Sequence, residues 1–123
     1  MRLFVYGTLM RAGANHTLLA GARFEGAAST APGFALVDLG AYPGMVRGGA
    51  AAVAGELFEV DRAILARLDR FEGHPRLFRR ARVPLADGRP AHAYLLDPAH
   101  AAAHPPIPPG PTGFVRWQPP DHR

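Results

Sequence analysis

Along most of the chain, hydrophobic positions fall in short runs with period two; only one segment carries a sustained helical stripe. Leu3 to Tyr6 reads as a short apolar strand stopped by Gly7-Thr8, and Asn15-His16-Thr17 opens a brief helical turn through Leu18 and Leu19. Phe34 to Asp38 predicts a second strand, Tyr42 to Val46 a bend with a short strand, and Val53 to Val60 a longer alternating one. Asp61 then caps a helix running to about Phe71. Phe78 to Leu85, a turn at Asp87-Gly88 and a return through Ala91 to Leu96 form a hairpin pattern. Beyond it, HPPIPPGPTG cannot be helix or central strand and is expected to wrap the surface in polyproline conformation, with Phe114 and Trp117 as anchors. Strands joined by hairpins and loops around one good helix predict an α+β fold: a small mixed curled β-sheet or barrel with short helical turns besides the main helix. The 123 residues suit a single domain over 1–123, with 105–123 as a proline-rich C-terminal segment.

The helical stripe contains one residue that does not belong to it. On a wheel of about 100° per residue centred on Leu68, Ile64, Leu65 and Phe71 fall within about 60°, and Glu72 falls at about 40°. Glu72 thus faces the apolar side, Arg67 and Arg70 point away, and Asp69 stands at the border. A carboxylate in the last turn also meets the partial negative charge of the helix C-terminus. Burial, this dipole and nearby Asp69 each raise a carboxyl pKa, which is how a glutamate becomes a proton shuttle near neutral pH. The alternative is an ion pair between Glu72 and an arginine of the Arg79 to Arg82 stretch, with Gly73 as a left-handed helix stop and Pro75 blocking continuation.

Composition removes several chemistries. The chain has no cysteine, and its 14 basic residues are all arginine, so thiolate nucleophiles, disulfides, thiolate metal sites and lysine chemistry are absent. The net charge of +4 is spread from Arg2 to Arg123; only Arg76, Arg79, Arg80 and Arg82 cluster, without an aromatic-basic platform, so no nucleic-acid partner is expected. No run approaches the roughly 18 apolar residues of a membrane span, and the N-terminal apolar run is too short for an export signal. No membrane association and a cytoplasmic location are therefore expected. His100 and His104 have i, i+4 spacing but no neighbouring carboxylate, and Ser29, the only serine, has no G-x-S-x-G setting. No metal and no cofactor is expected; the sequence leaves the oligomeric state open.

VYGTLM, Val5 to Met10, offers a strand end followed by a glycine turn that can present consecutive backbone N–H groups to a ligand carboxylate, or simply end the strand. Extended to VYGTLMRAGANH, Val5 to His16, and together with YPGMV at Tyr42 to Val46, VAGELFEVD at Val53 to Asp61 and LDRFEGHPRLFRR at Leu68 to Arg80, this stretch resembles the γ-glutamylcyclotransferase-like proteins, in particular the branch with γ-glutamylamine cyclotransferase and the AIG2-like proteins. The resemblance implies a cofactor-free enzyme that releases an amine from a small γ-glutamyl amide and forms 5-oxoproline. It implies Glu72 as catalytic acid/base, and Tyr6, Gly7, Thr8 and Leu9 as the substrate-binding loop. Tyr42 is assigned to the pocket on the same grounds, and Phe78 stands where many relatives have tyrosine. A hydrolase or acyltransferase on this scaffold, or a non-catalytic γ-glutamyl-binding module, are the alternatives. His74 could tune Glu72 or face solvent in the turn; Arg79 and Arg82 could meet a substrate carboxylate or face solvent.

Overall fold

In the computed structural model, residues 1–119 are described; the last four residues of the proline-rich segment lie outside them. The strands are β1 (Arg2–Val5), β2 (Arg23–Ser29), β3 (Phe34–Asp38), β4 (Pro43–Arg47), β5 (Ala52–Glu59), β6 (Phe78–Pro84), β7 (Pro90–Leu96) and β8 (Phe114–Val115). The main helix α1 covers Arg62–Glu72, a short α2 covers Pro98–Ala101, and a 3-10 turn covers His16–Leu19. The strands form one mixed sheet in the order β2-β5-β1-β7-β4-β3, with β6 on β7 and β8 on β5. This is a curled half-barrel with one main helix.

The alternation of the strands divides the core in two. Leu3 and Val5 pack with Ile64, Leu65 and Leu68 of α1 and with Phe78 and Leu96. Phe4, Leu36, Met45, Val53 and Val83 pack on the opposite face with Val115 and Trp117. The helix starts where the Asp61 carboxylate accepts the Ile64 amide at 2.8 Å, a cap of the kind that stabilises by about 1 kcal/mol. It stops where Gly73 adopts φ 67° and ψ 34°, and the His74 amide reaches back to the Asp69 carbonyl at 3.0 Å. Glycine takes this left-handed conformation without the Cβ penalty, so Glu72 is fixed as the last helical residue.

The decisive feature of the topology is a fork. β6 runs antiparallel along the length of β7 on one edge, so the two parallel partners of β7 share the other. β1 joins there through Leu3 and His92, β4 through Met45 and Leu95. Where β1 and β4 part, Tyr6 fills the fork: its hydroxyl donates to the Tyr94 carbonyl at 2.6 Å and accepts the Met45 amide at 3.0 Å. Both ligations are buried, and the ring is almost wholly enclosed.

Three parts of the fold differ from the sequence expectation. β2 went unpredicted because Arg23, Phe24 and Glu25 are all exposed and Gly26 interrupts any alternation; its pairing with β5 defines it, with a register shift between Phe24 and Gly26. α2 is also additional, a single turn capped by Asp97, which accepts the His100 amide at 3.2 Å. In the C-terminal segment Trp117 is buried as expected, but Phe114 is 41% exposed and Val115 takes its place in the core. The proline tract lies against β3, the end of the sheet order: the Asp38 amide donates to the Pro105 carbonyl and the Ile107 amide to the Leu36 carbonyl, both at 2.9 Å. A segment that cannot form a regular strand thus covers an otherwise open edge. Among the described residues, no helix is long and apolar enough to cross a membrane.

Candidate active site

A cavity of about 200 Å³ opens at the fork, and all of Tyr6, Gly7, Thr8, Leu9, Tyr42, Glu72 and Phe78 line it. Four separate parts of the fold deliver them. The loop leaving β1 brings the first four. The β3–β4 turn, held by the Leu39 amide on the Tyr42 carbonyl at 3.0 Å, brings Tyr42. The end of α1 and the start of β6 bring Glu72 and Phe78, whose ring lies 6.2 Å from that of Tyr42.

The loop after β1 is tied down through its carbonyls. Gly7 accepts the Met10 amide at 3.1 Å, Thr8 accepts the Asn15 amide at 2.9 Å, and the Leu9 carbonyl lies 2.9 Å from His16 Nδ1. Asn15 also donates from Nδ2 to Thr8 Oγ1 at 3.0 Å. Among the described residues, the N–H groups of Gly7, Thr8 and Leu9 have no protein acceptor. Consecutive unpaired amides form an anion-binding concavity, and here they line the cavity. Gly7 is required by contact rather than by conformation: a Cβ there would lie 2.8 Å from the Pro43 ring.

Glu72 has no hydrogen-bond or ion-pair partner among the described residues. Burial pushes its carboxyl up to about 7, from an ordinary 4.5. The arginine that the alternative reading put beside it goes elsewhere: Arg80 donates from Nε and from a terminal nitrogen to the two oxygens of Asp69, each at 3.1 Å. Tyr94 adds a third bond, donating its hydroxyl to Asp69 Oδ1 at 2.6 Å. Burial acts to raise the Asp69 carboxyl, but the bonds from Arg80 and Tyr94 outweigh it and hold the group below its usual range. Of the causes expected from the sequence, burial is the one that raises Glu72. The ion pair of the alternative reading belongs to Asp69 instead.

The tyrosines complete the wall. Tyr6 presents its ring and backbone to the cavity, because its hydroxyl is committed on both sides; burial first, and then the Glu72 charge, push its pKa upward. Tyr94 also lines the cavity, its pKa raised by burial and by its bond to Asp69. Sequence reasoning did not single out Tyr94 or Asn15, and it assigned Phe71 to the buried stripe. Phe71 is instead 46% exposed at the rim, as is Tyr42 at 36%. His74 braces the turn, accepting the Arg80 amide on Nδ1 at 3.0 Å, rather than facing solvent. Arg79 and Arg82 are exposed and do not line the cavity. The His100 and His104 rings stand 5.2 Å apart, and no cluster of three possible ligands forms among the described residues.

A curled mixed sheet, a loop of unpaired amides at the end of its first strand and a lone, largely enclosed carboxyl at the end of its one main helix meet at one small cavity. The model of the family described as gamma-glutamyl cyclotransferase, AIG2-like, matches residues 3–113. A putative gamma-glutamylcyclotransferase of Vibrio cholerae is 42% identical over 98 residues, covering 80% of this chain and 84% of that protein. The gamma-glutamylaminecyclotransferase of Rattus norvegicus is 39% identical over 87 residues, covering 63% of this chain and 58% of its own length, so this chain spans little more than half of that relative. The crystal structure of an AIG2-like protein from Mus musculus superposes with a TM-score of 0.75 at 29% identity, over 99% of this chain and 97% of that one. The chain belongs to the gamma-glutamyl cyclotransferase, AIG2-like family of enzymes.

Proposed function

We propose that this protein converts a γ-glutamyl amide into 5-oxoproline and a free amine. The substrate's own α-amino nitrogen attacks its γ-carbonyl carbon, the five-membered ring closes, and the bond from that carbon to the amide nitrogen breaks. Glu72, ionised, takes a proton from the attacking nitrogen and returns it to the departing one, so the enzyme is unchanged after a turnover. The nucleophile and electrophile belong to one molecule, and the work of the cavity is to fold the glutamyl chain until they meet. The unpaired amides of Gly7, Thr8 and Leu9 hold the negative oxygens of the substrate, either the α-carboxylate or the developing oxyanion.

The observation that carries this reading is the state of Glu72: a largely enclosed carboxyl without a partner among the described residues, its pKa brought to about 7, facing the same cavity as the free amides. A structural carboxylate in the same helix, Asp69, is in the opposite condition. The test is product analysis over a panel of γ-glutamyl amides. We expect 5-oxoproline and stoichiometric amine, and a loss of about 10²- to 10⁴-fold in kcat for Glu72→Gln with substrate affinity retained. Free glutamate in place of 5-oxoproline would assign water as the nucleophile, and Glu72→Gln activity within a few-fold of the parent would remove Glu72 from the mechanism.

A further inference from the structure

We propose a second ligand site, for a soluble organic phosphate monoester, on the face of the β6–β7 pair opposite the Glu72 cavity. Side chains alternate along a strand, so chain neighbours on β6 and β7 point to opposite faces. Phe78 and Tyr94 line the Glu72 cavity. Arg79 and Leu95, next to them in the chain and paired with each other across the two strands, line another. Its volume of about 400 Å³ falls within the roughly 300–1,000 Å³ typical of small-molecule pockets. It shares no lining residue with the Glu72 cavity, so the inference stands or falls apart from the proposed reaction.

Three segments bring cations to this one concavity. Arg47 comes from the end of β4, Arg76 from the turn after α1 and Arg79 from β6, against a single carboxylate, Asp97. Elsewhere Arg2, Arg11, Arg23, Arg80 and Arg89 each stand within ion-pairing distance of a carboxylate. Arg76 and Arg79 have no such partner among the described residues, although Asp97 lines the same cavity. That carboxylate is engaged in capping α2, where it accepts the His100 amide at 3.2 Å. Arg47 is held in place, reaching from β4 to donate one terminal nitrogen to the Arg82 carbonyl on β6 at 2.8 Å, which leaves the rest of its N–H fork for a ligand. Guanidinium forks match phosphate oxygens in pairs, and a surplus of two positive charges matches a phosphate monoester, dianionic above its second pKa of about 6. The cavity is larger than that ion alone. Ala81 and Leu95, both partly buried, give an apolar body attached to the phosphate a surface to bury. A carboxylate brings half the charge, and inorganic phosphate leaves that surface in water.

The experiment titrates phenyl phosphate into the full chain at about pH 8, where the phosphate is dianionic, and reads calorimetry and amide NMR shifts. We expect saturable binding with a Kd of about 1 mM or tighter, shifts centred on Arg47, Arg79 and Leu95, and about tenfold weaker binding in Arg79→Gln and in Arg76→Gln. Arg82→Gln, on the other face of β6, should bind as the parent does. Inorganic phosphate and benzoate should each bind several-fold more weakly than phenyl phosphate. Equal binding of inorganic and phenyl phosphate, or equal weakening by Arg82→Gln and Arg79→Gln, would reduce the site to diffuse surface charge and overturn the inference. Shifts at the amides of Gly7, Thr8 and Leu9 with no effect of Arg79→Gln would put the phosphate in the Glu72 cavity and overturn it too, as would a titration that never saturates.

Discussion

Asp69 and Glu72 stand three residues apart on one helix in opposite electrostatic states. Asp69 receives Arg80 and Tyr94 and is held ionised, while Glu72 receives nothing and is raised to about 7. The polar partners of the region are all spent on the carboxylate that does not need tuning, and this leaves the other one free to exchange protons.

The Glu72 state makes stability depend on pH in an unusual direction. Its folded pKa lies above its unfolded one, so between about 4.5 and 7 the folded state binds more protons, and stability contributed by Glu72 falls as pH rises through that window. Above about 7 the cost is constant, at most about 3 kcal/mol and less in proportion to the solvent that reaches the group. Glu72→Gln should therefore be more stable than the parent at pH 8 and no more stable at pH 4. Denaturant melts of the two proteins at both pH values check this.

The same group sets the rate profile. If ionised Glu72 takes the proton, kcat/KM should rise with pH to a plateau above about 7, and the midpoint should agree with direct titration of the Glu72 carboxyl. A titration midpoint near 4.5 with a rate limb unrelated to it would falsify the tuned-base role.

Asp69 is the guard of that midpoint. Asp69→Asn releases the Arg80 guanidinium from its bidentate pair, and a cation freed beside the end of α1 favours ionised Glu72. The rising limb of the kcat/KM profile should move to lower pH. The variant should also lose about 1–3 kcal/mol of stability, because Arg80 and Tyr94 lose a charged acceptor. An unmoved limb would show that the freed Arg80 does not reach Glu72.

Tyr6→Phe should be costly despite its conservative shape. It leaves the Met45 amide and the Tyr94 carbonyl without their buried partner, at about 1–3 kcal/mol for each group left unsatisfied, and it loosens the fork on which the cavity is built. Equilibrium unfolding measures the first effect and KM the second. A variant as stable as the parent would show that water replaces the hydroxyl.

Gly7→Ala introduces a Cβ 2.8 Å from the Pro43 ring, so either the loop or the β3–β4 turn must move. Displacement by such a distance misaligns the amides, and we expect a loss of about 10²-fold in kcat/KM with only a modest loss of stability.

What could be read from the sequence was what depends on local period. The helix from Asp61, the inward direction of Glu72, the hairpin of β6 and β7, and the glycine turn after β1 follow from spacing and capping, and the structure bears them out. What could not be read depends on register between distant segments. Nothing near Asp69 announces that Arg80 rather than Arg79 or Arg82 will face it, because that choice is fixed by how β6 meets α1. Tyr94 is visible in sequence as a strand residue, but its place beside Asp69 and the cavity follows from β7 having three strand partners. Phe71 sat within the apolar arc and still emerged at the rim, since the arc is wider than the surface the helix has to cover.

The fork has a dynamic consequence. β1 and β4 are each registered with β7 at a single residue pair, and the Tyr6 hydroxyl is the fastening that joins their ends. The sheet therefore consists of two plates sharing β7 as a spine, with the cavity set in the seam. A molecule that binds the loop of one plate and the Tyr42 turn of the other is a second fastening across the same seam. The Met45 amide, whose acceptor is that hydroxyl, becomes the natural reporter: its hydrogen exchange should slow when the cavity is filled, even though no ligand touches it.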